Sequence, residues 1–169
     1  MGKVEIIRGD ITKIQADAIV NAANEALLPG GGVSGAIHRA AGPELAEACK
    51  SVAPCPTGEA RITPGFRLPA KWVIHTVGPI WQGGTQNEPQ LLESAYRSSL
   101  ALAKQYRLRT VAFPSISTGI YGYPVEKAAP IALKVLLDEA PNFDVLYLVA
   151  FDEKTYEAYQ KAYKSLTAS

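Results

Sequence analysis

Near the end of the chain, residues 145–151 (VLYLVAF) run apolar almost without a break. A strand of that composition has no wet face, so it belongs inside a sheet covered on both sides by helices. The rest of the chain supplies such helices, alternating with strands. Strands are expected at Lys3–Arg8 (KVEIIR), at 18–20 running into Asn21, at 61–63, at 72–77 (WVIHTV) and at Thr110–Phe113. A helix is expected over 33–41, with Val33, Ile37 and Ala40 on one face and Gly42-Pro43 stopping it. Others are expected over Glu44–Val52, 88–106, 124–139 and 153–166. The 88–106 helix carries Leu91, Leu92, Ala95, Leu100, Leu102 and Ala103 on its apolar side. Pro124 sits near the start of the next, where a missing N–H costs nothing. In α/β sheets of this kind ligands bind beyond the carboxyl ends of the strands. The unusual loops of this sequence fall there.

The 169 residues favour one domain over 1–169, large enough to bury a core without disulfide staples. No linker, repeat or low-complexity tract interrupts them. The net charge of +1 excludes a basic surplus that would draw the chain onto nucleic acid or an anionic membrane. No apolar run approaches the roughly 18–20 residues of a membrane span. The first residues enter a strand directly rather than a signal peptide, so a cytoplasmic protein is expected. The two cysteines, Cys49 and Cys55, have no metal-ligand spacing. One buried and one partly exposed free thiol are expected, with no metal. No helix carries an obvious oligomerisation pattern, so the expectation is a monomer.

Three loops carry the chemical signal. Asn21-Ala22-Ala23-Asn24 follows a buried strand. Its two amides suit ribose hydroxyls, although an Asn-rich turn would look the same. Pro29-Gly30-Gly31-Gly32-Val33-Ser34-Gly35 runs into a helix. Its glycines let backbone N–H groups approach a ligand, and a helix start adds unpaired donors, a combination that favours phosphate or diphosphate. A flexible loop would also carry such glycines. The third loop is Pro114-Ser115-Ile116-Ser117-Thr118-Gly119-Ile120-Tyr121-Gly122, with hydroxyls, glycines and one ring that could pack on a sugar. Neither the GxxxxGK[ST] nor the GxGxxG spacing is present, which leaves kinase, GTPase and hydride transfer unsupported.

Single residues are ambiguous alone. His75 lies in an apolar strand and reads as a core histidine. His38 is four residues from Ser34, on the same helix face, and could act directly or be structural. Asp10, followed by Thr12, could be a turn residue. Trp81 and Phe66 could be core or rim. Phe151 could meet a base or sit in the core.

The ordered set of segments resembles the macrodomain family and, within it, the MacroD-like branch. The matching pieces are Gly9-Asp10-Ile11-Thr12, Asp17 to Asn24 (DAIVNAAN), Gly30-Gly31-Gly32-Val33, Gly35 to Gly42 (GAIHRAAG), Thr57-Gly58-Glu59-Ala60, Val73 to Pro79 (VIHTVGP) and Ser115 to Pro124 (SISTGIYGYP). Each is weak alone, but together they span nearly the whole chain. The resemblance implies an α/β fold, a three-layer α/β/α sandwich with a mixed, mostly parallel central sheet. It also implies an ADP-ribose cleft across the sheet's end. In that cleft Asp10 would bond the adenine amino group, with Ile11 beside it and Phe151 flanking the ring. Asn21 and Ala23 would belong to the ribose-binding loop. Gly31, Gly32 and Val33 on one side and Ser115, Ser117, Thr118, Gly119 and Ile120 on the other would wrap the diphosphate. Asn24 would hold the distal ribose, and Tyr121 would pack near it.

The implied chemistry is metal-free and cofactor-free hydrolysis of ADP-ribose esters by water, without a covalent intermediate. The substrates would be ADP-ribosylated Asp or Glu on proteins and O-acetyl-ADP-ribose, with Asn24, Ser34, His38 and Tyr121 as the catalytic group. One position departs from the pattern. Hydrolytic members carry an aspartate between the Val and Gly of the glycine run, and here that residue is Ser34. A serine hydroxyl is too weak to be a general base near neutral pH, though it can position water. No base-plus-orienter pair supports Ser34 as a nucleophile. A reader that binds without turnover is therefore the second expectation, and a phosphatase on ADP-ribose 1″-phosphate the third.

Overall fold

A computed structural model of the chain describes residues 2–168. Six strands and five helices alternate: β1 (Lys3–Arg8), β2 (Ala18–Ala22), α1 (Gly32–Ala41), α2 (Glu44–Val52), β3 (Ala60–Pro64), β4 (Trp72–Thr76), α3 (Glu88–Gln105), β5 (Thr110–Phe113), α4 (Val125–Glu139), β6 (Val145–Ala150) and α5 (Glu153–Thr167). They form one sheet in the order β1-β6-β5-β2-β4-β3. Every pairing is parallel except that of β3 with β4 at one edge. The expected mixed, mostly parallel sheet is therefore present.

The pleat explains the two cores. Ala18 and Val20 of β2, Val111 and Phe113 of β5, and Leu146 and Leu148 of β6 point to one face. There they meet Leu92, Tyr96 and Leu100 of α3, Leu133 and Leu136 of α4, and Tyr159 of α5. Their neighbours Ile19, Val73, Ala112 and Val149 point the other way, onto Ile37 of α1 and Leu45 and Cys49 of α2. Three layers result, and the apolar β6 lies inside the sheet as its composition demands.

Three expectations need correction. In α1 the buried face is Ser34, Gly35, Ile37 and Ala41, whereas Ala40 is exposed and Val33 only partly covered. The cause is Gly35. A Cβ there would stand 2.6 Å from the carbonyl oxygen of Gly30, so the helix rests on its own glycine loop. β6 stops at Ala150, which leaves Phe151 outside the sheet and 80% exposed. Both cysteines are buried, and burial pushes each thiol up to about 11, so neither is a partly exposed nucleophile.

Local signals set the ends that matter. At the α1 C-terminus Gly42 has φ 93°, a conformation that favours glycine, and its N–H bonds the carbonyl of His38. At the start of α5 the carboxylate of Asp152 accepts the N–H of Thr155 at 2.8 Å. Among the described residues no helix is long and apolar enough to cross a membrane.

Candidate functional site

The carboxyl ends of β2, β5 and β6 open into a cleft of about 570 Å³. That volume suits a ligand of nucleotide size. One wall is the glycine run. α1 begins after Gly31 with no side-chain cap, so the N–H groups of its first turn are unpaired donors at a positive dipole end. Gly31, Gly32, Val33 and Ser34 all line the cleft here. The Ser34 hydroxyl is buried, at 6% exposure, and has no partner.

The opposite wall is the loop between β5 and α4, where Ser115, Ser117, Thr118, Gly119, Ile120 and Tyr121 line the cleft. Its shape is braced from within. The Thr118 hydroxyl lies 2.7 Å from Ser115 Oγ, and the Ser117 carbonyl accepts the N–H of Tyr123 at 2.9 Å. Ser117 adopts φ 69°, a strained conformation for a residue with a side chain, which costs about 1 kcal/mol or more. Its buried hydroxyl has no partner. Gly78 makes this possible: a Cβ there would meet Ser117 Oγ at 2.2 Å and Ile116 Cγ2 at 2.5 Å. Tyr121 is tied to the loop after β4, its carbonyl accepting the Trp81 N–H at 2.8 Å.

The two ends differ. At one end Asp10, Ile11, Asp152 and Thr155 line the cleft together with the exposed Phe151. The hydroxyl of Thr12, at 2.7 Å, and then its N–H, at 2.9 Å, both donate to one oxygen of Asp10. They hold that carboxyl below the usual carboxylate range and leave its second oxygen free to accept. The N–H of Thr155 does the same for Asp152. At the other end Ala23 and Asn24 line the cleft. The Asn24 amide grips its own loop, donating to the Leu28 carbonyl and accepting the Leu28 N–H, both at 3.0 Å. One amide hydrogen stays free for a ligand. The carboxylates that line the cleft among the described residues, Asp10 and Asp152, are both at the first end.

Two expected site residues lie elsewhere. Asn21 is buried and does not line the cleft: the pleat of β2 sends its side chain toward β4, where Nδ2 sits 3.1 Å from His75 Nδ1. His75 Nε2 is in turn 2.9 Å from the Thr63 hydroxyl. Burial drives the His75 imidazole down to about 3, so this network is neutral. His38 sits one turn beyond Ser34 and lines a separate groove behind the glycine run. Its Nδ1 is buried without a partner, and burial lowers its pKa below the usual value.

Sequence reasoning overlooked Gly78, Asp152, Thr155 and Arg39. Asp152 and Thr155 had a readable signal, an acidic residue before a helix with a hydroxyl residue three positions on. Gly78 and Arg39 lay within the matching segments VIHTVGP and GAIHRAAG, where no role was assigned to them. Among the described residues no cluster of His, Cys, Asp or Glu is placed to hold a metal ion.

A family profile described as Macro domain matches residues 20–132. A macro domain-containing protein from Lactiplantibacillus plantarum is 56% identical over 171 residues, covering 99% of this chain and 99% of the relative. Among solved structures, the Oceanobacillus iheyensis macrodomain with ADP superposes with a TM-score of 0.91 and 48% identity, over 96% of this chain and 90% of that one. The Trypanosoma brucei macrodomain in complex with ADP-ribose gives a TM-score of 0.86 and 45% identity, over 94% of this chain and 68% of the other.

Proposed function

The chain belongs to the macro domain family, and from that premise we propose that it binds ADP-ribose in the cleft and hydrolyses ADP-ribose held through an ester. The observation that carries the proposal is the pairing of two donor-rich walls across one cleft. Unpaired N–H groups at the start of α1 face the braced loop 115–121, an arrangement suited to a diphosphate. Adenine then falls at the Asp10 end, its amino group donating to the free carboxylate oxygen and its ring against Phe151. The distal ribose falls at the Asn24 end, near Ser34 and Tyr121.

In the proposed reaction one water attacks and one C–O bond of the ester breaks: the water's hydroxyl goes to the carbon of that bond and its other hydrogen to the departing oxygen, without a covalent enzyme intermediate. Asn24 holds the distal ribose through its free amide hydrogen. The ligand's own diphosphate polarises the water, and Ser34 lines the cleft beside it with its hydroxyl buried. Tyr121 closes the sugar side. His38, which does not line the cleft, acts on the reaction only through α1. Suitable substrates are ADP-ribosylated Asp or Glu side chains and O-acetyl-ADP-ribose. The reading places the protein in the MacroD-like branch, as a single domain working without metal or cofactor in the cytoplasm.

A second reading has a specific observation behind it. No carboxylate lines the cleft near Ser34 among the described residues, and a missing proton-transfer group costs roughly 10²–10⁴ in rate. The protein would then be a reader of ADP-ribose. Asn24→Ala separates the two: hydrolysis predicts a larger loss in turnover than in ADP-ribose affinity, whereas equal losses would remove Asn24 from the reaction.

A further inference from the structure

Behind the glycine run lies a second groove of about 290 Å³, lined in part by Pro29, Gly30, His38, Arg39 and Pro43. It shares Gly30 and Arg39 with the cleft. Its charge is unbalanced. Arg39 folds back over Gly35, where a Cβ would stand 3.1 Å from its guanidinium. Arg67 borders the groove at its other end without lining it: its backbone N–H bonds the Ala41 carbonyl, and its side chain comes within 3.3 Å of a Cβ placed on Gly42, which does line the groove. Neither arginine makes an ion pair among the described residues. Glu44 is the opposing charge, 3.1 Å from that same Gly42 position. His38 is held neutral at pH 7 by burial and adds no charge. Two guanidiniums against one carboxylate leave planar donors suited to carboxylate or phosphate.

The groove's position says which anion can reach it. A Cβ on Gly30 would lie 3.7 Å from Asn24 Nδ2, so one residue separates the groove from the proposed seat of the distal ribose. We propose that the groove between Arg39 and Arg67 binds carboxylates flanking the ADP-ribosylated residue, so that the protein selects modified sites in acidic sequence. This rests on the reading that the cleft holds ADP-ribose, with the distal ribose at Asn24.

The test uses two peptides that carry ADP-ribose through a hydrolysis-resistant linkage, one flanked by glutamates and the other by glutamines. Binding of both, and of free ADP-ribose, is measured at low salt. The expected result is a preference for the acidic peptide of about three- to ten-fold, the size set by partly exposed ion pairs. That ratio falls in Arg39→Gln and in Arg67→Gln, disappears in the double variant, and is partly kept in Arg39→Lys. Equal binding of the two peptides by the wild-type protein would overturn the proposal. So would an Arg39→Gln variant that weakens both peptides and free ADP-ribose alike with the ratio intact, since Arg39 would then serve the diphosphate. Failure of the wild-type protein to bind free ADP-ribose at all would instead overturn the functional reading, and the groove's ligand with it.

Discussion

The Asp10 end and the Asn24 end of the cleft are built from different chemistry. At the first, two carboxylates are fixed by donors from Thr12 and Thr155 and held ionised, beside an exposed aromatic ring. At the second, Asn24, Ser34 and Tyr121 line the cleft, the serine hydroxyl itself buried, with no carboxylate among the described residues. Polar groups are pre-organised at one end, and the end proposed to meet the ester is neutral. On the proposed reading affinity and turnover are therefore separable, because different residues would set them.

The sharpest way to break the contrast is to make the second end acidic. Ser34→Asp is predicted to raise single-turnover hydrolysis by about 10²–10⁴, with ADP-ribose affinity little changed. A rate that stays put while the ligand still binds would show that this position does not limit the reaction. The converse change weakens the first end. Asp10→Asn is predicted to lower ADP-ribose affinity by about 1.5–3 kcal/mol, the range for a hydrogen bond to a charged group, and to leave the rate at saturating ligand near wild type. Calorimetry beside single-turnover kinetics reads both quantities, and a collapse of the saturated rate would deny the separation of the two ends.

Acid tests the neutral strands beneath the second end. His75 is held from 6.5 down to about 3 in the folded protein. Between those values the unfolded chain binds a proton that the folded chain does not. Stability is thus complete above pH 6.5 and falls as the pH drops toward 3. At pH 5 this group removes about 2 kcal/mol, measurable by denaturant unfolding. His75→Gln should flatten that slope, and an unchanged slope would assign the acid sensitivity to other groups. The smallest effect is expected at Phe151. Its ring is 80% exposed, so Phe151→Ala should cost about 1 kcal/mol of ADP-ribose affinity, the low end of base stacking, without altering the melting temperature. A lower melting temperature would mean that the ring supports the fold.

Much of this architecture was legible in the sequence. The apolar run of β6, the caps at Gly42 and Pro124 and the alternation of elements led to the layered sheet, and the order of the glycine and serine loops led to the cleft. Individual side-chain directions were not legible. Asn21 and Asn24 stand three residues apart in one motif, yet the pleat sends the first to His75 and the turn sends the second to the cleft. Ser34 and His38 share a helix face, yet Ser34 lines the cleft and His38 only the groove behind it. The Ala40 assignment failed because contact between Gly35 and Gly30 sets the rotation of α1, and no periodicity reports that contact. Arg39 and Arg67 are 28 positions apart, and only the turn that docks on Ala41 brings Arg67 to Gly42 at the end of the helix that carries Arg39.

The most direct test of the account is single-turnover release of ADP-ribose from a glutamate-modified protein, with the enzyme in excess and ADP-ribose binding measured in parallel. The account predicts that ADP-ribose binds and is released, slowly, as Ser34 in the place of a carboxylate requires. Binding without release would contradict the hydrolase and leave a reader of ADP-ribose.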